Sequence, residues 1–130
     1  MAFIKTTTPT ALGGKLIVDT KCDTTSADNV TGATSGIVYI VKIDATGNVV
    51  TTSEPGCYVK IVDASSATGG GVSSTVPDLV FYAPHGVVTT YVISGGWAFS
   101  SGVCMWCVTT AALNGDIGPT ADVKVSLVST

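Results

Sequence analysis

The chain has 130 residues, a size at which one domain buries a full core without staples, and it carries six lysines, no arginine, nine acidic residues and a single histidine, His85, for a net charge of −3. With no arginine to clamp phosphate or carboxylate through paired hydrogen bonds, and no cluster of lysines, the chain lacks the electrostatic footprint of a nucleic-acid binder. No apolar run approaches the roughly 20 residues of a membrane helix, and the opening Met1-Ala2-Phe3-Ile4-Lys5 followed by three threonines has no apolar stretch of the kind a secretory signal needs.

Helical periodicity is nearly absent, whereas period-two runs of Val, Ile, Thr and Tyr recur between turn clusters and predict strands. Residues 1–14 read as an N-terminal arm ahead of a single domain over 15–130. Lys15 to Thr20 is the first predicted strand, and the polar stretch Lys21 to Ser35 is a long loop. Gly36 to Asp44 carries apolar residues on both faces, which suits a central strand. Asp44-Ala45-Thr46-Gly47-Asn48 tolerates positive φ, so a hairpin is expected there, with Val49 to Thr52 as its short return strand. Glu54-Pro55-Gly56 punctuates the chain before a strand from Cys57 to Asp63. Ala64 to Thr75, with Gly69-Gly70-Gly71 at its centre, is expected to be a flexible loop with little to bury against its ordering cost. Asp78 to Ala83 and Val87 to Ile93 are strands on either side of the turn Pro84-His85-Gly86. Ser94-Gly95-Gly96 breaks the second of these, and Trp97 to Thr110 forms another strand with a kink at Gly102. Ala111 to Thr120 is a loop, and Val123 to Val128 a final alternating strand. Seven or eight short strands at this spacing predict an all-β fold, an antiparallel β-sandwich or jelly roll.

Few groups in this chain could carry chemistry. Cys104-Met105-Trp106-Cys107 has the C-x-x-C spacing of redox and zinc sites, but on a strand residues three apart point to opposite faces and the sulfurs diverge. Cys22 and Cys57 stand alone, so the four cysteines read as buried small hydrophobes, with one disulfide involving Cys22 or Cys57 as the alternative. His85 reads as a surface turn residue, because no G-x-S-x-G or other nucleophile signature accompanies it. The acids fall mostly at strand ends and loops as turn formers; Asp23, Asp28 and Asn29 do not have EF-hand spacing. Gly69-Gly70-Gly71 is followed by neither Lys-Ser/Thr nor a helix and is no phosphate loop. No catalytic, cofactor-binding or metal-ligating residue is singled out, and the expectation is a non-enzyme with no cofactor. The aromatics Tyr39, Tyr58, Phe81, Tyr82, Tyr91, Trp97, Phe99 and Trp106 lie on predicted strands; most are expected in the core, and any exposed together would form a carbohydrate or protein contact surface.

From about Gly36 onward, the ordered set of Val38 to Asp44, Tyr58-Val59-Lys60-Ile61-Val62-Asp63, Val76-Pro77-Asp78-Leu79-Val80, Ala83-Pro84-His85-Gly86, Ile93 to Gly102, Val108 to Ala112 and Pro119-Thr120 resembles a small β-sandwich module of tailed-phage structural proteins. The resemblance implies a virion component made in the host cytoplasm. It points first to a capsid decoration (cement) protein, with a tail, neck or fibre-associated subunit or a receptor (glycan)-binding module as the alternative. Its partners would be the major capsid protein or other virion proteins, with neither nucleic acid nor membrane among them. Composition points the same way: 45% hydrophobic residues against 12% charged leave more apolar surface than a small monomer buries, so docking or self-association is expected, with a monomer coated in Thr and Ser as the alternative; the decoration-protein resemblance implies a trimer.

Overall fold

A computed structural model describes residues 4–7, 14–71 and 73–130. They form eight strands: β1 (Ile4–Thr7), β2 (Lys15–Asp19), β3 (Gly36–Asp44), β4 (Gly56–Asp63), β5 (Leu79–Pro84), β6 (Val88–Phe99), β7 (Val103–Val108) and β8 (Lys124–Ser129). A five-stranded sheet runs β1-β2-β8-β3-β6 and a three-stranded sheet runs β5-β4-β7, all pairs antiparallel. The all-β expectation and the sandwich of two antiparallel sheets hold. Of the arm expected over residues 1–14, Ile4–Thr7 lie on the chain's own sheet, paired with β2, and Gly14 precedes that strand; the remainder lies outside the described residues.

Alternation puts one face of each strand between the sheets. Ile17, Val38, Val41, Ile43, Val125 and Leu127 from the larger sheet meet Cys57, Val59, Ile61, Ala83, Val103, Met105 and Cys107 from the smaller. β3 is central, as its two apolar faces suggested. Its alternation slips at Tyr39, where the pairing with both neighbours shifts.

Opposite that slip, β6 continues through Gly95 and Gly96, at φ of 77° and 78°, and does not break there. A Cβ at Gly96 would collide with Ile37, so only glycine lets the two strands approach. Residues 49–52 form no strand; they lead into the turn in which Thr51 N donates to Glu54 O. The expected kink at Gly102 is a turn separating β6 from β7, held by Asp63.

Between β2 and β3 the chain runs along the outer edge of β7. Ala27 and Met105 exchange backbone hydrogen bonds, Val30 N donates to Val103 O, and Cys107 N donates to Asp23 O. The predicted loop at 21–35 therefore satisfies the edge of the smaller sheet, where unpaired backbone would otherwise invite another strand.

Candidate docking face and end cleft

The two sheets differ in what lies on their outer faces. On the smaller sheet, Val62, Cys104, Trp106 and Val108 point away from the main core yet are buried, with Trp106 fully inaccessible. Two loops, 64–75 and 109–120, close over them. Ala64 and Ala67 pack on the cluster, Gly71 N donates to Gly115 O between the loops, Thr109 N donates to Ile117 O, and Lys60 Nζ donates to Ala112 O at 2.6 Å. Loop 64–75 was expected to be flexible; its described residues instead fold against Thr24 and the outer face of the sheet. Gly70 N donates to Thr24 O, and at Gly69 any Cβ would strike the same carbonyl. Burying a large apolar side chain is worth roughly 1.5–3 kcal/mol, and several together offset the ordering of these segments.

The outer face of the five-stranded sheet has no such cover among the described residues. Directly paired residues share a face, and the register aligns Leu16 with Val128, Val128 with Ile40, and Ile40 with Val92. An apolar row thus crosses four adjacent strands, with Leu16 39% and Val92 74% exposed at its two ends. The neighbouring rows place Lys5 opposite Val18, Lys42 between Ser126 and Thr90, and Lys124 opposite Asp44, which faces Val88 on its other side. Three of the six lysines stand on this face with Asp44 as the acid among them, while seven of the nine acids lie in loops or on the smaller sheet. Asp44 is held ionised below its usual range by hydrogen bonds from the Thr46 hydroxyl and backbone, aided by Lys124 and Lys42.

At one end of the sandwich, the β3–β4 and β7–β8 loops enclose a cleft of about 240 Å³ lined by Gly47, Val49, Thr51, Glu54, Thr120 and Ala121, with Asn48 in its wall. Buried Asn48 clamps the loops together: its side-chain amide donates to Ala121 O at 3.1 Å and accepts from Ala121 N at 2.8 Å. Behind Glu54 sits His85. Its turn is where the sequence put it, but the side chain is not on the surface: it is 2% exposed, because Gly86 N donates to Ala45 O and His85 N to Pro55 O, drawing the turn under the β3–β4 loop. His85 Nε2 lies 3.9 Å from Glu54 Oε1, and neither that oxygen nor either ring nitrogen has a hydrogen-bond partner among the described residues.

The remaining sequence candidates are structural. Cys104 and Cys107 project to opposite faces of β7, Cys107 into the core between the sheets and Cys104 into the outer cluster. All four cysteines are buried free thiols, and among the described residues no three His, Cys, Asp or Glu side chains are grouped to hold a metal. Asp28 accepts from Ser26 Oγ and Ala67 N, and Asp23 from Thr25 N. Trp97 and Phe99 pack toward the core with ring centroids 6.2 Å apart; the aromatic pair nearest solvent is Tyr58–Tyr82, 5.1 Å apart. Asn48, Glu54 and Lys60 were not singled out from the sequence; the signal for Lys60 is a lone charge on the strand that ends up in the middle of the smaller sheet. Compared with protein-family models, with curated proteins and with solved structures, the chain matches none.

Proposed function

We propose that this protein is a non-enzymatic virion structural protein of the capsid decoration type, docking on the shell through the outer face of its five-stranded sheet. The observation that carries this reading is the uncovered row Leu16–Val128–Ile40–Val92, flanked by Lys5, Lys42 and Lys124, on a molecule that covers the equivalent face of its other sheet with its own loops. The occupant that fits such a face is a protein surface presenting apolar side chains between carboxylates, which a capsid subunit would supply. The assembled decoration unit is a trimer in this reading.

Strand pairing supports a jelly roll in particular. Counting from β2 and taking 23–30 as a second strand, the pairs are first with eighth (β2–β8), second with seventh (23–30 with β7), third with sixth (β3–β6) and fourth with fifth (β4–β5). That is one long hairpin wrapped into two layers, the architecture used by viral capsid and lectin domains.

Binding to the assembled shell stabilises it by linkage, so decorated particles should melt at higher temperature than bare ones. Val92→Asp, at a solvent-facing position, should leave the isolated protein folded and abolish occupancy. Equal melting of particles at full occupancy, or undiminished occupancy by the variant, would overturn the reading. The glycan-binding alternative draws on the Tyr58–Tyr82 pair; glycan-array binding lost in Tyr82→Ala would favour it.

A further inference from the structure

We propose that this protein pairs with a second copy of itself along the free edge of β6, the two strands running antiparallel about a two-fold axis at Thr90. The proposal does not rest on the virion reading, because the contact uses a strand edge and leaves the outer face of the larger sheet open to a shell.

Two sheets have four edges, and three of these are blunted. The outer side of β7 is satisfied by residues 23–30. β5 ends in Pro84, and the Tyr91 hydroxyl occupies the carbonyl of Tyr82 within it. β1 is four residues long and carries Lys5. Short length, proline, lysine and a covering segment are the devices that keep a sheet edge from recruiting another strand. β6 lacks all four: from Val88 to Phe99 it contains no charged residue and no proline, and among the described residues only β3 hydrogen-bonds to its backbone. Its one irregularity is at the far end, where four residues, 93–96, stand against Tyr39 alone. That bulge confines an added strand to Val88–Val92, which meet Asp44 to Ile40 and are all β-branched or aromatic.

The occupant that fits this edge is the same five residues. Antiparallel pairing about their midpoint sets Thr90 against Thr90, and Val88 against Val92 of the second copy, with outer faces kept together. Val88 and Val92, 45% and 74% exposed, then cover one another across the seam, and Thr opposite Thr is a favourable cross-strand pair. No like charges meet there. The nearest cations are the two copies of Lys42, each beside its own Thr90, and they stay three strand spacings or ~14 Å apart, beyond the screening length at physiological salt. Head-to-tail growth of β6 onto β1 would instead run parallel, the weaker ladder, and would meet Lys5.

The test is sedimentation equilibrium of the full chain, of Thr90→Glu, of Thr90→Lys and of an equimolar mixture of the two variants. Thr90 is exposed, and a Glu there gains Lys42 of its own chain as a cross-strand partner, so the monomer fold is kept. Across the axis the same change sets two carboxylates face to face. The wild type is expected to dimerise, and each variant alone to raise the dissociation constant at least tenfold. Mixing the two should restore the dimer, because opposite charges then meet at the axis; a misfolded variant would not be rescued. Hydrogen exchange reads the seam directly: the amides of Val88–Val92 that face away from β3 should gain protection as concentration rises and stay open in either variant alone. A chain still monomeric at about 1 mM, a dimer unchanged by both variants, no rescue on mixing, or an oligomer with those amides unprotected would overturn the proposal. A trimer of that last kind would leave the shell reading standing.

Discussion

Lys60 Nζ donates to the carbonyl of Ala112 at 2.6 Å, so a cation on the middle strand of the smaller sheet ends against the loop that covers that sheet. The whole residue is inaccessible, opposite Trp106 on β7. Desolvation holds its ammonium pKa below the usual lysine range.

Replacing Lys60 separates packing from charge. Lys60→Met keeps most of the stem and removes a desolvated cation, and should leave stability within about 1 kcal/mol of the wild type or raise it; Lys60→Ala opens a void beside Trp106 and should cost about 2–4 kcal/mol. Because the folded pKa is the lower one, the unfolded chain binds more protons between the two values. Wild-type stability should therefore rise with pH toward 10.5, and the Met variant should lack that rise. Urea midpoints at unchanged m-value, measured at two pH values, check all three expectations.

Asp63 pins the β6–β7 turn. Its carboxylate accepts from Ser100 N at 2.9 Å, Ser101 N at 2.7 Å, Gly102 N at 3.3 Å and the Ser100 hydroxyl at 3.2 Å. Desolvation, the largest single influence, pushes its pKa up, but these donors together hold it below the ordinary aspartate value. A depressed folded pKa contributes stability above the unfolded value and loses it as pH falls through the folded one. Asp63→Asn should therefore lower Tm by a few degrees at neutral pH and by less in acid, once the pH falls below the ordinary aspartate range. A constant deficit across a pH series of thermal melts would contradict the assignment.

The thiols should be inert while the protein is folded. Burial drives the Cys22 pKa well up and raises that of Cys104 to about 11, and Cys107 is raised by its hydrogen bond with Cys57 as well as by burial; the same hydrogen bond lowers the Cys57 pKa, so that thiol is protected by its burial alone. A thiol reagent at pH 8 is expected to modify none of them natively and all four in denaturant. Added Zn²⁺ should not move Tm by more than about 1 °C. Rapid native labelling of Cys57 or Cys107 would show that the sandwich opens readily between its sheets.

Tyr91 guards a free edge. Its ring packs on Phe81, centroids 5.0 Å apart, and its hydroxyl donates to the carbonyl of Tyr82 on the outermost strand of the smaller sheet. Tyr91→Phe should lose about 0.5–1.5 kcal/mol. It should also raise concentration-dependent association, because an acceptor on β5 becomes available to another strand. Light scattering and denaturant unfolding on the same samples read both effects.

The strands were legible because their order rests on local alternation: β2, β3, β4, β5, β7 and β8 fall within a few residues of the runs that announce them. Where Gly95-Gly96 implied a break, the sheet absorbs two left-handed residues opposite the slip at Tyr39, a compensation set by the neighbouring strand. The glycine-rich segment 64–75 looked unable to bury anything because its partners, Thr24, Gly115 and the outer face of β7, are remote in sequence. The docking row and the cleft were illegible for the same reason. Leu16, Val128, Ile40 and Val92 become neighbours only through register, and Asn48, Glu54, His85 and Ala121 meet only where three loops converge.

β8, formed from residues 124–129, sits between β2 and β3 in the middle of the larger sheet. A ribosome must therefore release that late segment before the first strands of the domain can be joined. Until then the emerging polypeptide holds two separated half-sheets with their greasy faces open, and loop-closure entropy makes the final insertion slow. Chaperone engagement during synthesis, and sharp loss of soluble yield on swapping Leu127 for a charged residue, are the cellular signature that this topology entails.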